Sequence, residues 1–359
     1  MQIDAPAENV ATLSSKKRND ANQRVEGLAT TLSGKDAPIL GLEGTAHTLG
    51  AGIATLKGKI LSNKKKEYVP EKGGGIHPRE AAQHISQVAS SVINDALTSA
   101  QITPEELKAI AFSQGPGLGP CLRTTASIAR ALATYLNIPL LGVNHAIAHV
   151  EIGKLVHRLE EPLTVYVSGG NTMILAVAAG KYRVFGETLD IALGNLLDVF
   201  GREAGLAHPG GPKIETLARE SSNYVELPYV VKGTDISYSG MLTAITRLIG
   251  KEKLEDLCYS LQETAFAMLA EVTERALAHT RKQEVLLTGG CAPNRRLQEM
   301  LEDITANHNA TFRVVPPEFA GDNGAMIAWT GVQEYQKGHF LPISESQVLP
   351  KWRVSDVSL

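Results

Sequence analysis

Apolar runs of strand length recur along the chain beside glycine-rich turns, and they alternate with longer stretches of helical period. PILGLEGTAHTLGAGIATL, residues 38 to 56, predicts a strand, a Gly/Thr turn and a second strand. KGKILSNKKKEYVPEKGGGIHP predicts a short strand, then a loop carrying Lys64, Lys65, Lys66, Lys72 and three glycines. The spacing predicts a helix over 79–99. LKAIAFSQGPGLGPCLRTTASIARALATYL predicts a strand, a Gly-Pro loop at 115–120 and a helix; IPLLGVNH predicts a strand that runs into a further helix. A similar unit then returns. LTVYVSGGNTMILAV, residues 163 to 177, again reads strand, glycine turn, strand, and GKYRVFGETLD extends that sheet. Helices are predicted around 191–204 and 213–220, from 240, and over 254–281. VLLTGGCAPNRRLQEML predicts strand, Gly-Gly turn, helix; TFRVVPPEFAGDNGAMIAWTG predicts strand, loop, helix. The repeated hairpins point to an α/β fold of two duplicated lobes facing each other across a cleft.

A length of 359 residues fits two domains or one bilobed unit. Residues 1–37 are polar and charged without periodicity and are expected to be a flexible N-terminal extension. Lobe I then covers 38–163, completed by 325–359, and lobe II covers 164–324. The net charge of −3 gives no basic field that would announce nucleic acid by itself. Cys121, Cys258 and Cys291 are scattered and odd in number, which is no disulfide framework and suits a reducing cytoplasm. No apolar run is long enough for a membrane span, and the N-terminus has no secretory apolar core.

VNHAIAHVEIGKL, residues 143 to 155, carries the first candidate chemistry. Asn144 is placed to cap a helix, and His145 and His149 are four residues apart on one face, continued by Ile152, Leu155 and Val156. Two imidazoles at that spacing reach one ion; they are equally compatible with core histidines. In the zinc-protease motif H-E-x-x-H a Glu follows the first His as general base, and here Ala146 takes that place. Three glycine turns, GLEGTAHTLG, VSGGNT and TGGCAPN, carry a phosphate-type signal, with hydroxyls at Thr45, Ser168 and Thr172 as added donors. Each alone is compatible with a plain turn. Their order, hairpin, hairpin, strand–GG–helix, is that of the actin, sugar-kinase and Hsp70 nucleotide fold. QGPGLGPCLR is neither a Walker A loop nor a Rossmann fingerprint, and its place opposite VSGG suggests that it lines the cleft. The lysine cluster around 64–66 reads as a solvated loop or as a nucleic-acid contact.

GLEGTAHTLG, FSQGPGLGPCLR, VNHAIAHVEIGKL, YVSGGNT, GETLDIALGN, HPGGPKIE, TGGCAPNRRL and FAGDNGAMIAW occur in that order. Together they resemble the catalytic subunit of KEOPS, the archaeal and eukaryotic branch of the tRNA threonylcarbamoyladenosine synthesis family, whose bacterial relatives were once labelled glycoprotease. The match runs from about residue 39 to about 350, and departs only in small residues: Cys121, Cys291 and Gly201. The resemblance implies that His145 and His149 share one divalent ion with Asp322, and that Tyr166 joins them. Such a mixed nitrogen/oxygen site favours iron and admits zinc. It implies that Tyr166, Val167, Ser168, Gly169 and Gly170 form a phosphate turn. It implies that Asp198 holds ribose hydroxyls, and that Gly211, Glu215 and Asn294 surround the adenosine of ATP, AMP or threonylcarbamoyl-adenylate. The activity implied is transfer of threonylcarbamoyl from that adenylate to N6 of the adenosine beside the anticodon, with release of AMP. The partners implied are tRNA, a small atypical protein kinase, a small dimerising subunit and a kinase regulator. Some archaeal members carry a kinase domain after the equivalent of PKWRVSDVSL.

A mixed anhydride needs its phosphate and adenosine held and its carbonyl polarised, and its AMP leaves readily, so no covalent nucleophile is needed. No general base for the amine is evident. Rival readings are a metal-dependent peptidase, which would leave the glycine turns idle, and a small-molecule kinase, which has no use for H-x-x-x-H. A third is a non-catalytic ATP-binding scaffold.

Overall fold

The run PILGLE forms β1 (Pro38–Glu43), buried along its whole length. It pairs antiparallel with β2 (Thr48–Thr55), which pairs antiparallel with β3 (Ile60–Glu67). On its other side β1 pairs parallel with β4 (Ala109–Gly115), and β4 parallel with β5 (Leu140–Asn144), giving the order β3-β2-β1-β4-β5. The second half repeats this plan. β6 (Leu163–Val167), β7 (Thr172–Ala178) and β8 (Lys181–Glu187) form an antiparallel meander. β11 (Glu284–Thr288) joins β6 and then β12 (Thr311–Val314) in parallel, giving β12-β11-β6-β7-β8. A two-residue ribbon, β9 (Val231–Lys232) and β10 (Asp235–Ile236), lies between them in sequence. Two mixed sheets of the same order and direction are what the repeated hairpins predicted. The computed structural model describes residues 36–70 and 75–357, so the extension expected over 1–37 falls almost wholly outside the described residues, as does Lys72.

Helices α1 (Pro78–Ala100) and α2 (Gly119–Leu136) bury Ile85, Val92, Ala126 and Ala129 against Leu40, Ile53 and Phe112 of the first sheet. In the second half the corresponding core takes residues from α4 (Leu193–Glu203), α5 (Gly210–Ala218), α6 (Ser239–Thr246), α7 (Leu254–Thr280) and α8 (Arg295–Asn307). Between the two sheets runs α3 (His145–His157). Its Ala148 and Ile152 pack with Ile39, Ala111 and Val143 of the first sheet, and its Ala146, Ile147 and Val150 pack with Tyr166, Leu175 and Tyr182 of the second. A helix with a sheet on either side has two apolar partners. So α3 is buried all round from His145 to Gly153, and Leu155 and Val156 of the single predicted face are only half-buried.

The short α9 (Pro317–Ala320) leads into α10 (Gly324–Gln336), which lies directly on β1 and β2. The approach is backbone on backbone: a Cβ on Gly52 would stand 2.2 Å from the Ala325 nitrogen, and one on Gly324 2.1 Å from the Gly52 nitrogen. Asn323 caps α10, its Oδ1 accepting from the Met326 amide while its Nδ2 donates to the Phe319 and Gly321 carbonyls. This fixes the loop that holds Asp322.

The lysines at 64–66 lie in β3, not in the predicted loop. β3 is an edge strand, and exposed lysines there mask the strand pattern while blocking edge-to-edge pairing. Lys65 pairs with Glu67 at 2.8 Å and Lys66 donates to Ser91 at 2.9 Å.

Asp190 ties the end of the second meander to the start of α6. Its carboxylate accepts from the Ser237 and Ser239 hydroxyls and from the Ile191, Tyr238 and Ser239 amides. Burial raises its carboxyl, but these donors outweigh burial and hold it well below the usual carboxylate range. A depressed pKa contributes stability that is present above the unfolded value, about 3.9, and is lost as pH falls through the folded value. Urea unfolding is therefore expected to show Asp190→Asn less stable than the parent at pH 6. The gap should narrow as the pH falls below about 4.

Candidate active site

His145 opens α3 directly after the Asn144 cap, whose Oδ1 accepts from the Ala146 and Ile147 amides. One turn later His149 lies beneath it, the rings 4.8 Å apart and nearly perpendicular. The loop before α10 brings Asp322 to both: its Oδ1 is 3.6 Å from His145 Nε2 and 3.3 Å from His149 Nε2. One ligand atom from each of the three lies within 4.8 Å of the others. Tyr166, on β6, places its ring 4.9 Å from that of His149. Its buried hydroxyl has no hydrogen-bond partner, and neither has the buried Nδ1 of His149. Two imidazoles, a carboxylate and an unbonded phenol, with no thiolate, fit a divalent ion with mixed nitrogen/oxygen ligands.

Without an ion, the two imidazoles and the two carboxylates shift one another's protons. Burial pulls the His145 imidazole down, but the carboxylates of Glu43 and Asp322 outweigh it and bring it up to about 9. Burial and the neighbouring His145 hold His149 low, against Asp322. Burial raises Asp322, yet the two histidines keep it well below its ordinary value. Burial, and then the charge of Asp322, hold the proton on the Tyr166 phenol.

The turn after Tyr166 and Val167 is closed by the Ser168 amide donating to the Asn171 carbonyl (2.8 Å) and the Asn171 amide donating to Ser168 Oγ (3.0 Å). Around Gly169 and Gly170 a Cβ would meet nothing within 4 Å. Gly194, at the start of α4, comes so close that a Cβ there would stand 2.6 Å from the Ser168 carbonyl. The Gly-Gly turn abuts from the other side, with the Cys291 amide donating to the Val167 carbonyl. The hydroxyls are engaged: Thr45 donates to Glu43 Oε1 at 2.6 Å, so it does not serve a phosphate, and Thr172 accepts from the Leu193 amide. The 115–120 loop packs on the first turn, its Leu118 amide donating to the Thr45 carbonyl, and the Gly117 amide donating to the Pro350 carbonyl.

Of the residues that the resemblance gives to the nucleotide, Asp198 Oδ1 accepts from the Gly210 amide at 2.8 Å, beside Gly211. Glu215 Oε1 accepts from the Arg295 amide at 3.1 Å and from Arg219, which links α5 to the start of α8. Glu215 lines an open cavity of about 420 Å³ with Arg219, Tyr259, Gln262 and Arg295. Asp198, Gly211 and Asn294 are not among its lining residues. Asn294 is buried and committed to the protein, its Oδ1 capping α8 at the Leu297 amide and its Nδ2 donating to Gln262 Oε1 at 2.7 Å. Asn294→Ala is therefore expected to cost about 1–2 kcal/mol of stability through the lost cap, seen as a lower melting temperature.

Three site residues escaped the sequence reading although they stood in quoted motifs. Glu43 is fully buried, and its Oε2 accepts from His145 Nδ1 at 2.9 Å. His47 and His208 face each other, one beside the first turn and one before α5, with ring centroids 6.1 Å apart. The signal for Glu43 was a carboxylate ending an otherwise apolar buried strand. Burial pushes the thiols of Cys258 and Cys291 up to about 12 and that of Cys121 up to about 11, so none is a thiolate nucleophile. Among the described residues no helix is long and apolar enough to cross a membrane.

Residues 59–329 match the family model described as TsaD: tRNA N6-adenosine threonylcarbamoyltransferase. Over 321 residues the chain is 54% identical to the tRNA N6-adenosine threonylcarbamoyltransferase of Thermofilum pendens, covering 89% of this chain and 95% of that relative. It is likewise 54% identical over 321 residues to a probable bifunctional tRNA threonylcarbamoyladenosine biosynthesis protein of Methanocaldococcus jannaschii. That match covers 89% of this chain but 59% of the longer relative. Among solved structures, HypF of T. kodakarensis superposes with a TM-score of 0.61 at 16% identity, over 85% of this chain and 48% of that one, a likeness of fold alone. With a match of this length and identity, the chain belongs to the TsaD family of tRNA N6-adenosine threonylcarbamoyltransferases.

Proposed function

We propose that this chain transfers a threonylcarbamoyl group from threonylcarbamoyl-adenylate to N6 of the tRNA adenosine beside the anticodon, releasing AMP. The observation that carries this reading is the convergence of His145, His149 and Asp322 from distant parts of the chain, with the ring of Tyr166, which leads into the open Gly169–Gly170 turn, against His149. In this reading lobe I is 38–163 with 325–359 and lobe II is 164–324, and the substrate lies in the cleft between them.

His145, His149, Asp322 and Tyr166 would hold one divalent ion, iron before zinc. When bound, it supplies Lewis-acid polarisation of the carbamoyl carbonyl. The amides of Gly169 and Gly170, in the turn that Tyr166, Val167 and Ser168 lead into, hold the adenylate phosphate, which needs close backbone approach. Asp198 accepts from ribose hydroxyls beside Gly211, and Glu215 faces the adenosine. Asn294 acts through Gln262 and the start of α8, not by direct contact. The N6 amine forms the new C–N bond, the C–O bond to phosphate breaks, AMP leaves with that electron pair, and the proton given up by N6 passes to the departing phosphate or to water. Nothing favours the peptidase reading: the position of its general base is Ala146, packed among Ile147, Val150 and Leu175.

With a net charge of −3 and its quoted lysine run confined to one strand edge, the chain supplies little of the phosphate neutralisation that dominates tRNA affinity. Partners of the KEOPS kind, a small atypical kinase, a small dimerising subunit and a kinase regulator, would supply the rest, in the cytoplasm. The test is incubation of the protein and those subunits with threonylcarbamoyl-adenylate and unmodified tRNA, followed by mass spectrometry of the nucleosides. Appearance of threonylcarbamoyladenosine only with the complete set supports the reading; its absence with all components present overturns it.

A further inference from the structure

The geometry points to Glu43 as the residue that positions His145 for metal binding, by holding its Nδ1–H and so directing the Nε2 lone pair at the ion. This rests on the metal reading of the site. Glu43 ends β1 with no exposed surface and carries a carboxylate into the core, which is costly unless every lone pair is used. Here they are used. Oε1 accepts from the Thr45 amide at 2.8 Å and from the Thr45 hydroxyl at 2.6 Å, and Oε2 accepts from His145 Nδ1 at 2.9 Å. Thr45 Oγ1 also stands 3.4 Å from the same ring nitrogen. Thr45 is itself pinned, its carbonyl accepting from the Leu118 amide.

A carboxylate that only accepts fixes the tautomer of its partner. With the proton on Nδ1, His145 presents Nε2 on the opposite edge of the ring, which is the edge that faces Asp322. A carboxylate behind an imidazole also raises its basicity as a ligand. His149 has no such support, since its Nδ1 is buried without a partner. The two histidines of one motif are therefore unequal: His145 is held from behind through Nδ1, and His149 has no hydrogen bond there.

The test is metal binding by the metal-free protein, measured with cobalt(II) alone through its visible absorption. Glu43→Gln keeps an acceptor oxygen and nearly the same volume but replaces one oxygen with a donor facing the Thr45 amide. It is expected to lower cobalt affinity about 10–100-fold. Glu43→Ala should lower it further. Circular dichroism of each metal-free variant separates folding from binding. Nitrogen–proton NMR of the loaded parent should show His145 with a slowly exchanging Nδ1–H and Nε2 as the ligand, and faster exchange of that proton in Glu43→Ala. If the parent takes up no cobalt, the metal reading fails and this inference with it. If the parent binds and folded Glu43→Gln binds within twofold of it, Glu43 is a structural acid and the inference alone is overturned.

Discussion

His145→Ala and His149→Ala are each expected to empty the divalent-ion site and to lower threonylcarbamoyl transfer on the order of 10³-fold. Loss of Lewis-acid stabilisation is worth several kcal/mol, and each 1.36 kcal/mol is roughly a factor of ten in rate. The two variants should differ in stability. His145→Ala strands the Glu43 carboxylate, fully buried, with one partner removed. Breaking one side of a buried pair costs about 3–5 kcal/mol. His149→Ala removes a ring whose Nδ1 had no partner, and the Asp322 it leaves behind is 20% exposed and reaches water. The expected order of melting temperature is parent, His149→Ala, His145→Ala, with metal lost from both variants. Elemental analysis and thermal unfolding of the pair decide it. Full metal content together with a large drop in melting temperature in His149→Ala would show a core histidine and not a ligand.

The difference between those two variants was not visible in the spacing H-x-x-x-H, which treats the histidines alike. Local features were legible: β1 and β2 as a hairpin, α3 as a helix capped by Asn144, and the turn at 168–171, because each follows from residues within a few positions. Asp322 was not, since it reaches His149 across 173 residues, and only the family resemblance named it. Glu43 was passed over because GLEGT was read for its glycines, and a turn signal says nothing of which strand end is buried. Lys64 to Lys66 were misplaced because an edge strand tolerates charges that a central strand would not. The burial of α3 on all sides was underestimated because a one-stripe helix pattern assumes one apolar partner, and this helix has a sheet on each side. Asn294, which the resemblance gives to the adenosine, also stands directly before RRLQEML, where a cap is expected and is seen.

Gly169→Val and Gly170→Val are expected to abolish most nucleotide binding while leaving the fold as it is. A Cβ at either position meets nothing within 4 Å among the described residues, and neither residue has the left-handed backbone that excludes one. Surface substitutions of this kind change stability by less than about 0.5 kcal/mol. If the amides of this turn approach a phosphate, a branched side chain occupies the space that the ligand needs. AMP affinity should then fall at least 10-fold, on the order of 1.4 kcal/mol. Gly289→Ala provides the opposite case. Its φ is +100° and a Cβ would stand 2.2 Å from the Val167 carbonyl oxygen, so the Gly-Gly turn must shift and stability should drop with binding. Calorimetric titration with AMP and thermal unfolding on the three variants separate a ligand cradle from a structural turn. Normal AMP affinity in a folded Gly170→Val would remove the phosphate from this turn, because among the described residues nothing fills the space that glycine leaves there.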